Sequence, residues 1–87
     1  MAYKITYTER FEKHYKRLHD KERIQLKKKL RILSENPFHP SLRTKKVQGT
    51  DFFECSVNMD IRIIWLYQDG ALILLLDVGH HDILQRY

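Results

Sequence analysis

The sequence predicts an α+β domain in which an N-terminal strand and an α-helical hairpin pack on a small, mostly antiparallel sheet. Three observations lead to this fold class. Apolar and polar residues alternate at the start of the chain, two amphipathic helical stretches follow within residues 8–36, and the last third contains three strand-like segments. With 87 residues, the chain fits a single domain, residues 1–87, with one small core.

The N-terminal strand and the first helix are predicted from the spacing of their apolar residues. The buried face of the strand consists of Tyr3, Ile5 and Tyr7, which alternate with lysine and threonine. Thr8 is a suitable N-cap, and the carboxylates of Glu9 and Glu12 in the first turn suit the helix dipole. The apolar stripe of this first helix consists of Phe11, Tyr15 and Leu18.

A second helix is predicted from Asp20 to the Asn36-Pro37 pair. Asp20 is the predicted cap, and the helix ends at Asn36 because proline disfavours helical geometry in the residue before it. The apolar stripe consists of Leu26, Leu30 and Leu33, flanked by Ile24 and Ile32. The short break near His19-Asp20 predicts that the two helices form an antiparallel hairpin.

Residues 37–50 are predicted to be a surface loop, because they contain two prolines, one glycine and no sustained periodicity. Three strands are then predicted at residues 52–57, 61–67 and 71–78, with turns at 58–60 and 68–70. In the second of these strands, one face consists of Ile61, Ile63, Trp65 and Tyr67. The third strand is almost entirely apolar, as expected for a central strand buried on both faces. Gly79 is predicted to end it, and residues 80–87 to form a short C-terminal helix or an extended tail.

Positive charge is concentrated in the first part of the chain. The whole sequence carries 16 Lys and Arg against 11 Asp and Glu, a net charge of +5. Residues 1–50 hold 14 Lys and Arg and 5 Asp and Glu, whereas residues 51–87 hold 2 and 6. Such segregation is typical of a polyanion-binding surface, although a solvated basic helix face gives the same pattern.

The composition excludes several classes of protein. Cys55 is the only cysteine, so the chain has no intramolecular disulfide and no cysteine-based metal site. The N-terminus has no apolar signal-peptide segment, and the longest apolar run, residues 71–76, is far shorter than the ~20 residues that cross a bilayer. The sequence therefore predicts a soluble, cytoplasmic protein.

Basic side chains are candidate contacts to RNA or DNA, because lysine and arginine neutralise phosphates. In the predicted loop and on the second helix they are Arg43, Lys45, Lys46, Lys27, Lys28 and Arg31. Arg62 lies between Ile61 and Ile63 and therefore projects from the opposite face of its strand. There it either holds a phosphate or extends to water.

A second candidate group follows the third predicted strand. His80 and His81 lie at the rim of the sheet, and histidine donates or accepts a proton near neutral pH. Alternatively, this segment is a turn in which Asp82 caps the final helix. A metal site is disfavoured, because adjacent residues rarely converge on one ion. Tyr87 either packs over the sheet, stacks on a base or donates to a phosphate.

Three segments resemble one family of proteins. They are HPSLRTKKVQG in the loop, DIRIIWLY in the second strand of the last third, and ILLLDVGHHDIL near the C-terminus. In this order they resemble the RelE/ParE superfamily of toxins from type II toxin–antitoxin modules, and within it the RelE/YafQ-type branch. The resemblance implies a helical hairpin on a small antiparallel sheet. It also implies an mRNA endonuclease (an mRNA interferase) that acts in the ribosomal A site and inhibits translation.

The resemblance further implies a reaction without metal or cofactor, in which the 2′-hydroxyl of the substrate attacks the adjacent phosphodiester. Arg62 resembles the strand arginine of the family and is assigned to the phosphate. His81 resembles the basic catalytic residue of the family and is assigned as general acid. Tyr87 resembles the C-terminal aromatic residue that stacks on the substrate or orients it.

The general base stays open. Lys45 and Lys46 lie where relatives carry basic residues, so both are candidate phosphate ligands and Lys45 is also a candidate base. Asp60 matches an acidic residue of the YafQ-type branch and is an alternative base. That branch also has a histidine on the strand before this position, where the chain has Cys55-Ser56.

The implied partners are a cognate antitoxin protein, the ribosome with its mRNA, and operator DNA only through the antitoxin complex, without a membrane. Leu26, Leu30 and Trp65 are either core residues, the interpretation we favour, or the landing site of the antitoxin. Two other functions stay open on the same fold. One is inhibition of DNA gyrase, as by ParE-like toxins, and the other is binding of RNA or antitoxin by a catalytically degenerate toxin.

Overall fold

The computed structural model describes residues 2–87, which form two layers, one of helices and one of strands. The strands are β1 (Lys4–Tyr7), β2 (Lys45–Lys46), β3 (Phe53–Ser56), β4 (Ile61–Asp69) and β5 (Leu72–His80). The helices are α1 (Glu9–Lys16) and α2 (Asp20–Glu35), with 3₁₀ helices at Pro40–Leu42 and His81–Arg86. The sheet has the order β1-β5-β4-β3-β2, in which β1 is parallel to β5 and the other pairs are antiparallel. This confirms the predicted α+β class and the mostly antiparallel sheet.

Strand β5 is the central strand, because it is bonded to β1 on one side and to β4 on the other. Its first half, residues 72–75, pairs with the short strand β1. A tight hairpin joins β4 to β5: Asp69 pairs with Leu72, so the turn residues are Gly70 and Ala71. The turn therefore begins two residues later than predicted, β4 is longer by two residues, and β5 begins one residue later.

The two helices cover one face of the sheet, and the hydrophobic core lies between the two layers. Because side chains alternate along a strand, Ile61, Ile63 and Trp65 of β4 all point into this core, as predicted. Phe53 of β3 stacks on Trp65 with ring centroids 4.8 Å apart. Other fully buried members of the core include Leu26, Leu33, Leu42, Ile73 and Leu75. Complete burial of Leu26 and Trp65 confirms the interpretation of both as core residues.

The first helix is tied to the sheet at its N-terminus. The Thr8 hydroxyl oxygen accepts a hydrogen bond from the backbone N–H of Phe11 at 3.0 Å. The same hydroxyl donates to the backbone carbonyl of Leu76 at 2.8 Å. Thr8 is therefore the N-cap of α1, as predicted, and it also links α1 to β5.

The second helix begins with a different cap from the predicted one. Asp20 is already helical, and its carboxylate pairs with Arg23 on the next turn, so His19 is the N-cap. The backbone N–H of His19 donates to the Glu22 carboxylate at 2.9 Å. The helix ends before Asn36, as the following proline predicts.

Three predictions about loops and strand ends are wrong. Residues 37–50 are not a loop throughout, because they contain a 3₁₀ helix, anchored by the buried side chain of Leu42, and the short strand β2. Tyr7 is 56% exposed, since β1 is an edge strand. Gly79 does not end β5, which continues to His80. A Cβ atom at Gly79 would lie only 3.1 Å from the Ile83 side chain, so glycine lets the C-terminal 3₁₀ helix approach the strand closely.

The other face of the sheet is only partly covered. Leu74 and Leu76 are half-buried, so β5 is not buried along both faces as predicted. The segment after β5 is the short C-terminal helix expected from the sequence, in 3₁₀ form, and it packs against β4 and β5. In the described part of the chain, no helix has the length and apolar character that crossing a membrane requires.

Truncation of a core leucine tests this layer arrangement. We expect Leu33→Ala to lower the free energy of unfolding by about 2–5 kcal/mol, because it removes apolar area and leaves a cavity between α2 and the sheet. The matched change Ile24→Ala lies on the same helix at a side chain that is 57% exposed, and should stay within about 0.5 kcal/mol. Urea unfolding followed by circular dichroism measures both. Equal losses in the two variants would contradict the assigned core.

Candidate active site

The sheet face opposite the hydrophobic core carries polar and charged side chains in two neighbouring rows. Residues directly opposite each other in antiparallel strands share a face. The register gives one row, here called the arginine row, of Ser56, Arg62 and Gly79. It gives a second row, here called the carboxylate row, of Lys45, Glu54, Ile64 and Asp77. Arg62 therefore projects opposite to its two isoleucine neighbours, as predicted.

The Arg62 guanidinium is held over the turn between β3 and β4. Its Nη1 atom donates to the backbone carbonyls of Asn58 at 2.7 Å, Met59 at 3.1 Å and Ile61 at 3.2 Å. Among residues 2–87 the hydrogen bonds of this side chain all use Nη1, which leaves Nη2 and Nε as donors to a ligand. Because a guanidinium fork matches two phosphate oxygens, this anchored side chain is suited to binding a phosphodiester.

The first two members of the carboxylate row form an ion pair. The Lys45 ammonium lies 3.3 Å from Oε1 of Glu54. The lysine side chain is 70% exposed, whereas Glu54 is only 5% exposed. Within the described chain, Oε2 of Glu54 is buried and has no hydrogen-bond partner. Sequence reasoning identified the lysine but missed the glutamate, although its position as the one charged residue of β3 was a signal.

The last member of the row, Asp77, is completely buried and joins distant parts of the chain. Its Oδ1 atom lies 2.5 Å from Nδ1 of His14 on α1 and accepts from the backbone N–H of Val78 at 2.8 Å. Its Oδ2 atom accepts from the Tyr87 hydroxyl at 3.0 Å. Both carboxylate oxygens are thus satisfied, which burial of a charged group requires. A lone carboxylate in the run ILLLDV was the signal in the sequence.

Tyr87 crosses the sheet from β5 to the start of β3. Its ring meets the ring of Phe52 edge-on, with centroids 5.7 Å apart, while its hydroxyl reaches Asp77. Burial, and then the hydrogen bond to Asp77, raise the pKa of Tyr87 above its ordinary value of 10.0, so the hydroxyl remains a donor at neutral pH. The Tyr87 hydroxyl is therefore bonded within the protein. The predicted contact of Tyr87 with substrate would accordingly be made by its ring.

The remaining predicted catalytic residues border these rows. His81 is exposed and begins the C-terminal 3₁₀ helix, two residues after Gly79 of the arginine row. Asp60 is exposed in the turn whose carbonyls hold Arg62, and its backbone N–H donates to the Asn58 side chain at 2.8 Å. The structure thus brings both residues to the end of the sheet that carries the arginine row.

The other predicted RNA-binding residues lie apart from the arginine row. Lys46 is exposed. Because successive side chains of a strand lie on opposite faces, its side chain lies on the face of β2 opposite that of Lys45. Arg43 is exposed just before β2, with a left-handed backbone (φ 51°). The exposed basic side chains of α2 lie in the helical layer, on the other side of the sheet: Lys27, Lys28 and Arg31.

Cys55 and Ser56 occupy the stretch where the related branch has a histidine. Cys55 points into the core, where burial raises the pKa of its thiol to about 12, so it is neither a base nor a nucleophile at neutral pH. Ser56 lies in the arginine row. Among the residues that the structure describes, no three His, Cys, Asp or Glu side chains are grouped so as to hold a metal ion.

Solved structures of other proteins share this fold. The archaeal RelE–RelB complex from Pyrococcus horikoshii matches with a TM-score of 0.80 and 18% identity, over 95% of this chain and 99% of that one. The RelBE toxin–antitoxin complex of E. coli matches with a TM-score of 0.73 and 27% identity, over 90% and 95%. YoeB from Staphylococcus aureus matches with a TM-score of 0.75 and 17% identity, over 93% and 99%. The chain therefore has the RelE-like toxin fold.

The sequence gives the family. The profile of the YafQ family, described as bacterial toxins of type II toxin–antitoxin systems, matches residues 3–86. Direct comparison with curated proteins gives no match. Because the family profile covers nearly the whole chain, this protein belongs to the YafQ family of type II toxins, as the resemblance of its three segments implied.

The hydrogen bond from the Tyr87 hydroxyl to Asp77 should contribute measurably to the free energy of unfolding. We expect Tyr87→Phe to lower the free energy of unfolding by about 1–3 kcal/mol near neutral pH, because it removes a donor from a buried carboxylate. The matched change at the exposed Tyr7, Tyr7→Phe, should stay within about 0.5 kcal/mol.

The difference in unfolding free energy between wild type and Tyr87→Phe should depend on pH in a defined direction. Since the folded-state pKa of Tyr87 is raised, its stabilisation is present below the ordinary pKa and is lost as pH rises through the folded pKa. The gap between wild type and Tyr87→Phe should therefore shrink above about pH 10. A gap that stays constant through this range in urea unfolding would contradict the assigned bond.

Proposed function

We propose that this toxin is a ribosome-dependent mRNA endonuclease that cleaves mRNA in the ribosomal A site and so inhibits translation. The observation that carries the proposal is the arginine row, in which an anchored, half-buried guanidinium keeps Nη2 and Nε as donors for phosphate. Cleavage by a 2′-hydroxyl requires a phosphate-binding cation, a general base and a general acid. The family assignment supports the same reaction class.

The proposed roles follow the placement of the side chains. Arg62 binds the phosphate and stabilises the negative charge that develops on it. His81, exposed beside the arginine row, protonates the 5′-oxygen that leaves, and this yields a 5′-hydroxyl on the downstream fragment. The Tyr87 ring orients the substrate. The remaining basic residues, among them Lys46, attract RNA at longer range, as do Arg43, Lys27, Lys28 and Arg31.

We further propose that a cognate antitoxin protein neutralises the toxin. The solved structures from P. horikoshii and E. coli contain RelE together with RelB. Operator DNA would then be bound only through the antitoxin complex. Action on translating ribosomes requires that the protein works in the cytoplasm.

Primer extension on mRNA from translating ribosomes tests the proposal. Brief expression of the wild-type toxin should produce cuts within codons, and His81→Ala should lower the rate of cutting by about 10²–10⁴-fold, since it removes the general acid. The matched control is His39→Asn, because His39 is also exposed and its side chain caps the 3₁₀ helix at Pro40–Leu42, a hydrogen-bond role that asparagine retains. This control should cut at the wild-type rate.

Two other outcomes have defined meanings. Equal cutting by wild type and His81→Ala would retain the endonuclease and exclude His81 as the acid. Growth arrest with DNA damage and without mRNA cuts would contradict the endonuclease and indicate gyrase inhibition instead.

A further inference from the structure

The general base left open by the sequence has a candidate in the carboxylate row. We propose that Glu54 is the general base, held in an ion pair with Lys45 until RNA binds. This role rests on the proposed endonuclease function, because the base acts on the 2′-hydroxyl of the same substrate. It assigns a catalytic step to a residue that no sequence pattern identified.

The first argument is the burial of Glu54. The residue is only 5% exposed, and its Oε2 atom has no hydrogen-bond partner within residues 2–87. A buried carboxylate oxygen without a donor destabilises the fold, and such groups in native proteins call for a functional explanation. The fold itself does not require a charge here, since the residue opposite on β4 is the buried, apolar Ile64. Stability alone therefore does not account for this glutamate.

The second argument is the position of Glu54 beside the phosphate-binding side chain. Glu54 pairs with Ile64 and Ser56 pairs with Arg62, so Glu54 and Arg62 are diagonal neighbours on one face. Diagonal neighbours in an antiparallel pair are about 7–8 Å apart at their Cα atoms, within reach of long side chains. On this proposal, RNA whose phosphate is bound by the guanidinium over the turn between β3 and β4 extends along this face toward Ile64, which brings the adjacent 2′-oxygen near the carboxylate.

The third argument is the nature of the Lys45 contact. The ammonium lies 3.3 Å from Oε1 of Glu54, yet the lysine side chain is 70% exposed. Because its stem is flexible and its head faces solvent, the ammonium is able to move toward an arriving phosphate. Transfer of Lys45 from carboxylate to phosphate would free Oε1 of Glu54 to accept a proton. The same lysine then adds a second cation to the phosphate that Arg62 binds.

The resulting step is balanced. The 2′-O–H bond breaks, and the proton passes to the Glu54 carboxylate. The 2′-oxygen forms a bond to phosphorus while the bond from phosphorus to the 5′-oxygen breaks. Protonated His81 gives its proton to that 5′-oxygen, so the products are a 2′,3′-cyclic phosphate and a 5′-hydroxyl. No oxidant, reductant or further reactant is consumed.

Substitution of Glu54 in the full-length toxin tests the role. The assay is single-turnover cleavage of mRNA on programmed ribosomes as a function of pH, with the wild type, Glu54→Gln, Glu54→Asp and Asp60→Asn. We expect Glu54→Gln to cleave about 10²–10⁴-fold more slowly and to lose the acid limb of the pH–rate profile, because an amide accepts no proton. Glu54→Asp retains a carboxylate and should retain that limb at a reduced rate.

The pH profile separates catalysis from structure. The charged or titratable side chains that face Glu54 from neighbouring strands are Lys45, Arg62 and Asp77, with the Tyr87 hydroxyl beyond them. A structural role would change the rate without removing the acid limb. The matched control Glu35→Gln changes an exposed glutamate at the end of α2 and should leave rate and profile unchanged.

The assay distinguishes a failure of the proposed Glu54 role from a failure of the proposed endonuclease function. If wild-type toxin leaves the mRNA intact, the endonuclease proposal falls and the role of Glu54 falls with it. If wild type cleaves and Glu54→Gln cleaves at the same rate with the same acid limb, the endonuclease stands and Glu54 is not the base. Loss of the acid limb in Asp60→Asn but not in Glu54→Gln would also overturn the proposal, in favour of Asp60.

Discussion

The buried carboxylate of Asp77 lies on the central strand β5 and links helix α1 to Tyr87. A fully buried charge is stable only when its oxygens are hydrogen-bonded, and here the partners come from His14 on α1 and from Tyr87. One side chain thus connects the helical layer, the middle of the sheet and the segment that follows β5. That segment begins with His81, so the position of the proposed acid depends on the same carboxylate.

The sheet separates two kinds of chemistry. On one face, apolar side chains of β3, β4 and β5 pack with the helices and supply the hydrophobic stabilisation. On the other face, the arginine row and the carboxylate row hold a guanidinium, an exposed ammonium and two buried carboxylates. The alternation of side chains along each strand, shifted by one residue at Leu76 where Asp77 pairs with Ile64 and Leu75 with Trp65, makes this division possible in a sheet of short strands. A small domain can therefore have a core on one face and charged side chains on the other face of the same strands.

The elements with strong periodicity were predictable from the sequence. Both helices, the faces of β4 and the orientation of Arg62 follow from local spacing, and the ends of α1 and α2 at Thr8 and Asn36 follow from capping and proline chemistry. Strand β2 was not predictable, because two lysines have no strand pattern of their own and pair only through contact with β3. The extension of β5 past Gly79 also depends on pairing with β4 rather than on local preference.

The candidate site was predictable only in part, for a similar reason. Arg62, Lys45 and His81 were recognisable in the sequence as basic residues. The interactions that surround them in the fold, however, join residues that are far apart in the sequence. The contact between His14 and Asp77 joins residues 63 positions apart, and a single sequence carries no signal for such a pair. The missing partner of Glu54 is likewise a property of the packed sheet. Three-dimensional placement is therefore the basis on which we propose Glu54 as the base that composition and spacing left open.

The central claim is that the sheet face with the arginine row, and not the helical layer, meets mRNA. Photo-crosslinking on programmed ribosomes tests it most directly, with a benzophenone amino acid placed at one of two exposed apolar positions. Met59 lies in the turn that holds Arg62, whereas Ile24 lies on α2, and both are strongly exposed. The account predicts cross-links to the A-site codon from position 59 and none from position 24. Cross-links from position 24 alone would contradict it.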